Sequence, residues 1–187
     1  VIEDALANGN RGAAIDILNE YSDLFRENTG FNNVQVHLID DELTSFVKSW
    51  APQDYGEELS YSRAYAEVIQ TGEAIVTLEH SPKGLRLKGL FPITSGVRVL
   101  GLANFEGGLN SIKRTLAPSD IEFLYLLDNE YLDIAEGISD NAQIGDYTLS
   151  QGDTNPQFLE YAQSALDVEA AMEAGREGGY VMDDQYL

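Results

Sequence analysis

The chain of 187 residues contains no cysteine. Disulfides, thiolate nucleophiles, Cys-ligated zinc, iron–sulfur clusters and c-type haem attachment are therefore excluded. Histidine is nearly as scarce. His37 and His80 are the whole complement, and neither falls in the His-x-x-x-His or Glu-x-x-His spacing that sets two metal ligands on one helix face. Also missing are a Gly-x-Ser-x-Gly elbow for a hydrolytic serine and a Gly-x-x-x-x-Gly-Lys phosphate loop. No apolar run approaches the roughly 20 residues needed to span a bilayer, and no charged-then-apolar leader opens the chain. No catalytic residue, metal site or cofactor is expected from this set.

Positive charge is the next shortage, with 11 Lys plus Arg against 32 Asp plus Glu and a formal net charge of −21. Such a surface repels nucleic acid and anionic membrane faces. The few cations are unevenly placed: eight of them, Lys48, Arg63, Lys83, Arg86, Lys88, Arg98, Lys113 and Arg114, lie between residues 48 and 114. An anionic ligand would be met in that middle region, although a solvated sheet face gives the same distribution.

What is present is enough for a packed core, with 43% hydrophobic and 10% aromatic residues. Ile2, Ala5 and Leu6, then Ala13, Ala14, Ile17, Leu18, Tyr21, Leu24 and Phe25, recur at helical spacing. They predict one helix to about residue 28, weakened at Gly9 and Gly12 and stopped at Asn28-Thr29-Gly30. Period two then takes over at Val34, Val36 and Leu38. A second strand, Leu43 to Trp50, carries Thr44, Phe46, Lys48 and Trp50 on one face and Ser45, Val47 and Ser49 on the other. Pro52 ends it. After a loop, Ser60 or Ser62 caps a helix over 63–70 that Thr71-Gly72 closes. Strands over 74–79, 85–93 and 97–105 come next as an antiparallel meander. In the central one Leu85, Leu87, Gly89 and Phe91 read as the core face, with Arg86, Lys88 and Leu90 opposite.

Residues 1–108 thus spell an α+β module, and 109–187 a smaller one. In the second, a helix over 109–116, strands over 121–127, 131–135 and 143–149, a helix from Asn155-Pro156 and a terminal strand over 180–187 are expected. An unpaired strand at the end wants a partner, so this module is expected to be incomplete at Leu187.

The stretch Val34–Arg63 gathers His37, Ser45, Phe46, Lys48, Trp50, Tyr61 and Arg63 within thirty residues. Cations, hydroxyls and enclosing aromatics are the groups that recognise a small carboxylate. Arg63 at a helix start opposes the helix dipole, which an external anion would relieve. Lys88 sits on the second cation-bearing strand face. Two other readings stand beside this one: His37 as a metal ligand or hydrolytic base, and a purely structural module.

The runs VQVHLID, LTSFVKSWAPQDYGEELSYSR, GLRLKGLFPI, NFEGGLNSI, YLLDNEYL, IGDYTLSQ, FLEYAQ and GYVMDDQYL together resemble the extracytoplasmic double-Cache sensor domain of bacterial methyl-accepting chemotaxis proteins and related sensor kinases. Asn104-Phe105 replaces an expected Glu-Phe pair, and Lys48 an expected Arg. The resemblance implies a PAS-like Cache module, an antiparallel sheet flanked by a long N-terminal helix, followed by a second Cache-like module. It implies a periplasmic position at the inner membrane, transmembrane helices on both flanks, a homodimer and a cytoplasmic signalling domain. The site it implies, His37, Ser45, Phe46, Lys48, Trp50, Tyr61, Arg63 and Lys88, would bind a C2–C4 carboxylate such as pyruvate, acetate or lactate in a chemoreceptor. An amino acid sensed by a histidine kinase or diguanylate cyclase is the alternative, and a His37-dependent hydrolase the alternative of another class.

Overall fold

The computed structural model describes residues 1–28, 35–119, 121–152 and 154–176. It resolves into two compact units: Val1–Glu79 with Arg86–Gly108, and His80–Leu85 with the described residues from Leu109 onward.

The first unit is α+β. Its sheet has the order β2-β1-β5-β4-β3, where β1 is Gln35–Asp40, β2 Ser45–Lys48, β3 Ile75–Ser81, β4 Gly84–Ser95 and β5 Arg98–Gly107. β1 pairs antiparallel with both β2 and β5, and β4 pairs antiparallel with β5. Two apolar clusters cover the two faces. On one, Val36, Leu38, Val47, Ala103 and Ile93 pack with Ala5, Leu6, Ala14 and Leu18 of α1 (Ile2–Ala7) and α2 (Arg11–Asn28). On the other, Ile39, Leu90 and Leu102 pack with Leu59 and with Tyr65 and Val68 of α3 (Arg63–Thr71).

The single N-terminal helix expected from periodicity is two helices, broken where Gly9 takes φ +62. Left-handed backbone is open to glycine and ends a helix there. β4 reverses the expected faces. Lys88 and Leu90 are buried, while Leu87 and Phe91 are exposed. The cation-bearing face is the one that lies under α3, which periodicity alone cannot reveal. α3 itself forms as the sequence predicts: Ser62 caps it, its side chain accepting from the Tyr65 amide, and Gly72 closes it at φ +68. Ser62→Ala is expected to lower stability by about 0.5–1 kcal/mol, read as a lower melting temperature.

In the second unit a three-stranded sheet runs β6-β8-β7, with β6 Leu126–Asp128, β7 Gln143–Ile144 and β8 Tyr147–Leu149. The expected strand over 121–127 shrinks to its end, because Gln151 takes over backbone pairing before it. The Gln151 side chain accepts from the Tyr125 amide at 2.9 Å and donates to the Phe123 carbonyl at 3.1 Å. Residues 131–135, expected as the mate of β6, form turns instead; β8 is the mate. The stretch over 143–149 folds back on itself at Gly145, φ +58, making β7 and β8 a hairpin. α4 (Asn110–Leu116) and α5 (Pro156–Ser164) form as expected, and α6 (Val168–Arg176) is an addition that the helical spacing did not suggest. Asn155 caps α5, accepting from the Gln157 and Phe158 amides. The expected terminal strand over 180–187 lies outside the described residues.

Candidate functional site

The α3 side of the first sheet carries an unusual load of polar groups. His37 on β1 stands opposite Lys48 on β2 and Asn104 on β5. Lys88 on β4 and Tyr65 of α3 complete the group through side-chain contacts: Lys88 Nζ lies 3.5 Å from Tyr65 Oη, and Asn104 Nδ2 donates to that same oxygen at 3.0 Å. Lys48 and Lys88 are each only 8% exposed.

A bulge in β2 assembles this face. Leu38 pairs with Val47 and Ile39 with Ser45, so Phe46 is the extra residue. The bulge breaks strict alternation and re-aims the neighbouring side chains. Ser45 thereby joins His37 and Lys48, its Oγ lying 2.7 Å from His37 Nε2. Phe46 packs instead with the α1/α2 core. Its assignment to the ligand face is corrected by this geometry, as is the separation of Ser45 from Lys48.

Both ammonium groups already hold carboxylates. Lys48 Nζ meets Asp54 at 2.8 Å and Glu57 at 2.9 Å, and Lys88 Nζ meets Glu79 at 2.8 Å. Burial opposes the charge on each lysine, but Asp54 and Glu57 outweigh it at Lys48, and Tyr65, Glu79 and Glu106 at Lys88, holding both pKa values above the ordinary lysine range. The cation-bearing face is therefore a face of ion pairs, each with lysine protons left to donate. His37 responds oppositely. Burial first, then Lys48 and Lys88, push it down to about 4, with Asp54 opposing. It is a neutral ring at pH 7.

Three other expected members lie toward solvent. Trp50, 40% exposed, meets the His37 ring edge-on at 5.9 Å between centroids. Tyr61 is 74% exposed, yet its phenol is shifted upward by partial burial and by Glu57, while Lys88 and Lys48 act in the other direction. Arg63 is exposed at the first residue of α3. Tyr65 and Asn104 were missed by sequence reading. Tyr65 lies on the buried side of its helix, and its contacts with Lys88 and Asn104 distinguish it.

The loop over residues 51–61 lies along the free edge of β2. The Ser45 amide donates to the Glu57 carbonyl at 2.9 Å, and the Gly56 amide to the Ser45 carbonyl at 2.8 Å. Arg11, at the start of α2, binds the same region. Its Nε donates to the Phe46 carbonyl at 2.8 Å and its Nη2 to the Pro52 carbonyl at 2.6 Å, with the guanidinium 3.3 Å from the Tyr55 ring centroid. Among the described residues, no group of three or more His, Asp or Glu is placed to hold a metal ion, and no helix is long and apolar enough to cross a membrane.

These features define an α+β domain with a buried, ion-paired polar face under one helix and one loop. No family model and no curated protein matches the chain. Among solved structures it is similar to the sensor domain of the Vibrio cholerae histidine kinase DctB, with 20% identity, 59% of this chain and 44% of that one covered, and a TM-score of 0.49. It is also similar to a domain of a sensory box/GGDEF family protein from Vibrio parahaemolyticus, with 19% identity, 67% and 55% covered, and a TM-score of 0.44. A third is the extracellular domain of vpHK1S-Z8, assigned as a histidine kinase, with 17% identity, 97% and 69% covered, and a TM-score of 0.49. The chain spans about half the length of the first two.

Proposed function

We propose that the first unit is the ligand-binding module of an extracytoplasmic Cache-type sensor, and that its α3-side face binds a small organic carboxylate. The observation that carries this reading is the pair of nearly buried lysines, Lys48 and Lys88, on one sheet face in a chain of net charge −21. Burying an ammonium is costly, and fold stability is served as well or better by apolar side chains of similar volume. Strongly perturbed groups gathered on one face are a mark of function. His37, Ser45, Tyr65 and Asn104 supply the remaining polar contacts, with Trp50 and Tyr61 at the rim.

Asp54 and Glu57 are ion-paired with Lys48. A carboxylate arriving there competes with them, and both sit on the 51–61 loop. Arg11 ties that loop to α2, so a shift of the loop is passed to the N-terminal helix. A ligand moves such an equilibrium only by binding one arrangement better than the other. In the whole receptor we place transmembrane segments on both flanks, a second copy alongside and a cytoplasmic signalling domain beyond the membrane, with chemotaxis as the output.

The contact between Ser45 and His37 also has the form of a nucleophile and base. What supports a non-catalytic reading is the depressed basicity of His37, far from the value near operating pH that a general base needs. Burial of Ser45 on a strand supports it too.

The test is a thermal-shift screen of small carboxylates followed by calorimetry, since a bound ligand raises stability by RT ln(1 + [L]/Kd). Lys88→Ala is expected to weaken binding at least tenfold, about 1.4 kcal/mol, and Arg63→Ala by less than threefold. Unchanged affinity in Lys88→Ala would sink the assignment of this face.

A further inference from the structure

Asn104 is 1% exposed in the middle of β5, opposite His37 on β1 and Leu90 on β4. Its amide nitrogen is engaged by Tyr65 Oη, an oxygen that Lys88 also approaches. Its amide oxygen is shielded from solvent and, among the described residues, accepts no hydrogen bond. A buried acceptor left unmet costs about 1–3 kcal/mol, and native proteins rarely keep one without a reason. The neighbours on this face show what packing alone selects: Leu90 and Leu102 are fully buried leucines beside it.

The chemistry of that oxygen is narrow. A carbonyl accepts an O–H or N–H and offers nothing to a carboxylate or ketone oxygen. Around it, Lys48 and Lys88 donate to acids, and Ser45 and the neutral His37 ring are taken up with one another at 2.7 Å. The face therefore offers cationic donors for a carboxylate and, in Asn104 Oδ1, a buried acceptor for a donor on the same molecule. A site built to hydrogen-bond a substrate donor rejects an analogue lacking it, because its own polar group is then left unpaired.

We infer that Asn104 is a specificity residue, selecting among small carboxylates those that carry a hydroxyl or ammonium donor over their unsubstituted and keto analogues. This rests on the reading of the face as a carboxylate site.

Two matched series test it by calorimetry on the full chain: lactate, alanine, pyruvate and propionate, then malate, aspartate and succinate. In at least one series, the hydroxy or amino acid is expected to bind tenfold or more tightly than the analogue lacking the donor. The comparison of lactate with alanine, or malate with aspartate, tells hydroxyl from ammonium. Asn104→Leu is expected to bring that ratio to near one by weakening the donor-bearing member. Equal parent affinity for donor-bearing and donor-free members overturns the inference without touching the carboxylate reading, and needs no variant to fold. A ratio that persists in folded Asn104→Leu also overturns it. Binding of no member of either series overturns the carboxylate reading and this inference together.

Discussion

Gly101→Ala is expected to lower the stability of the first unit by about 4 kcal/mol, at the upper end of single-residue effects. Gly101 sits in β5 between Asp40 of β1 and Ile93 of β4, at φ +154. A Cβ there would fall on the Ile39 carbonyl oxygen and within 3.1 Å of Asp40 Cα. The obstacles are backbone atoms of the central strand pair, which cannot rotate aside as a side-chain tip would. Relief requires β1 and β5 to part at the place where β4 also shifts register, between Ile93 and Thr94. Gly96→Ala is the control: its φ is +63 with open space around it, so only the backbone term remains, about 1 kcal/mol. Thermal unfolding of both variants separates the two costs. A loss at Gly101 no larger than at Gly96 would show that the strand pair is not close-packed there.

The second large effect is a dependence on pH. His37 binds its proton at about 4 in the folded chain against 6.5 ordinarily. The unfolded chain therefore takes up a proton between roughly pH 6.5 and pH 4 that the folded chain refuses. Stability from this residue is complete above pH 6.5 and falls as pH drops through that window, by about 3 kcal/mol in all. The cause is desolvation of the ring, helped by Lys48 and Lys88 and opposed by Asp54. Carboxylates titrate near the lower end of the same range, so the informative quantity is the difference between the parent and His37→Gln. That variant is expected to lose less stability from pH 7 to pH 4.5 than the parent does. Parallel curves would mean that the ring is protonated in the folded state.

Much of the architecture is legible in the chain. Alternation from Val34, the Pro52 stop, the Ser62 cap with Gly72, and the turns after Glu79 and Thr94 lead directly to an antiparallel sheet with α3 between β2 and β3. These are local signals, and each rests on what a residue's own backbone allows. The second unit was harder to read because its strands are two or three residues long. Periodicity has nothing to grip at that length, and Gln151 supplies backbone partners from a distance.

The site divides in the same way. Composition and spacing by themselves determined that cations concentrate in the middle of the chain, that His37, Lys48 and Lys88 belong to strands, and that no thiol chemistry is possible. Only the tertiary structure decided which strand face was buried and which residues shared it. One bulge at Phe46 moved Ser45 to the side of His37 and Lys48 and sent the Phe46 ring to the opposite core. α3 covered the cation-bearing face of β4, and the face that alternation had assigned to the core is the more exposed one. The ion pairs of Lys48 with Asp54 and Glu57, and of Lys88 with Glu79, depend on where a loop and an edge strand return to the sheet. Strand faces are fixed by period two only while register is unbroken, and carboxylate partners are chosen by distance in space, so neither could be read from residue order.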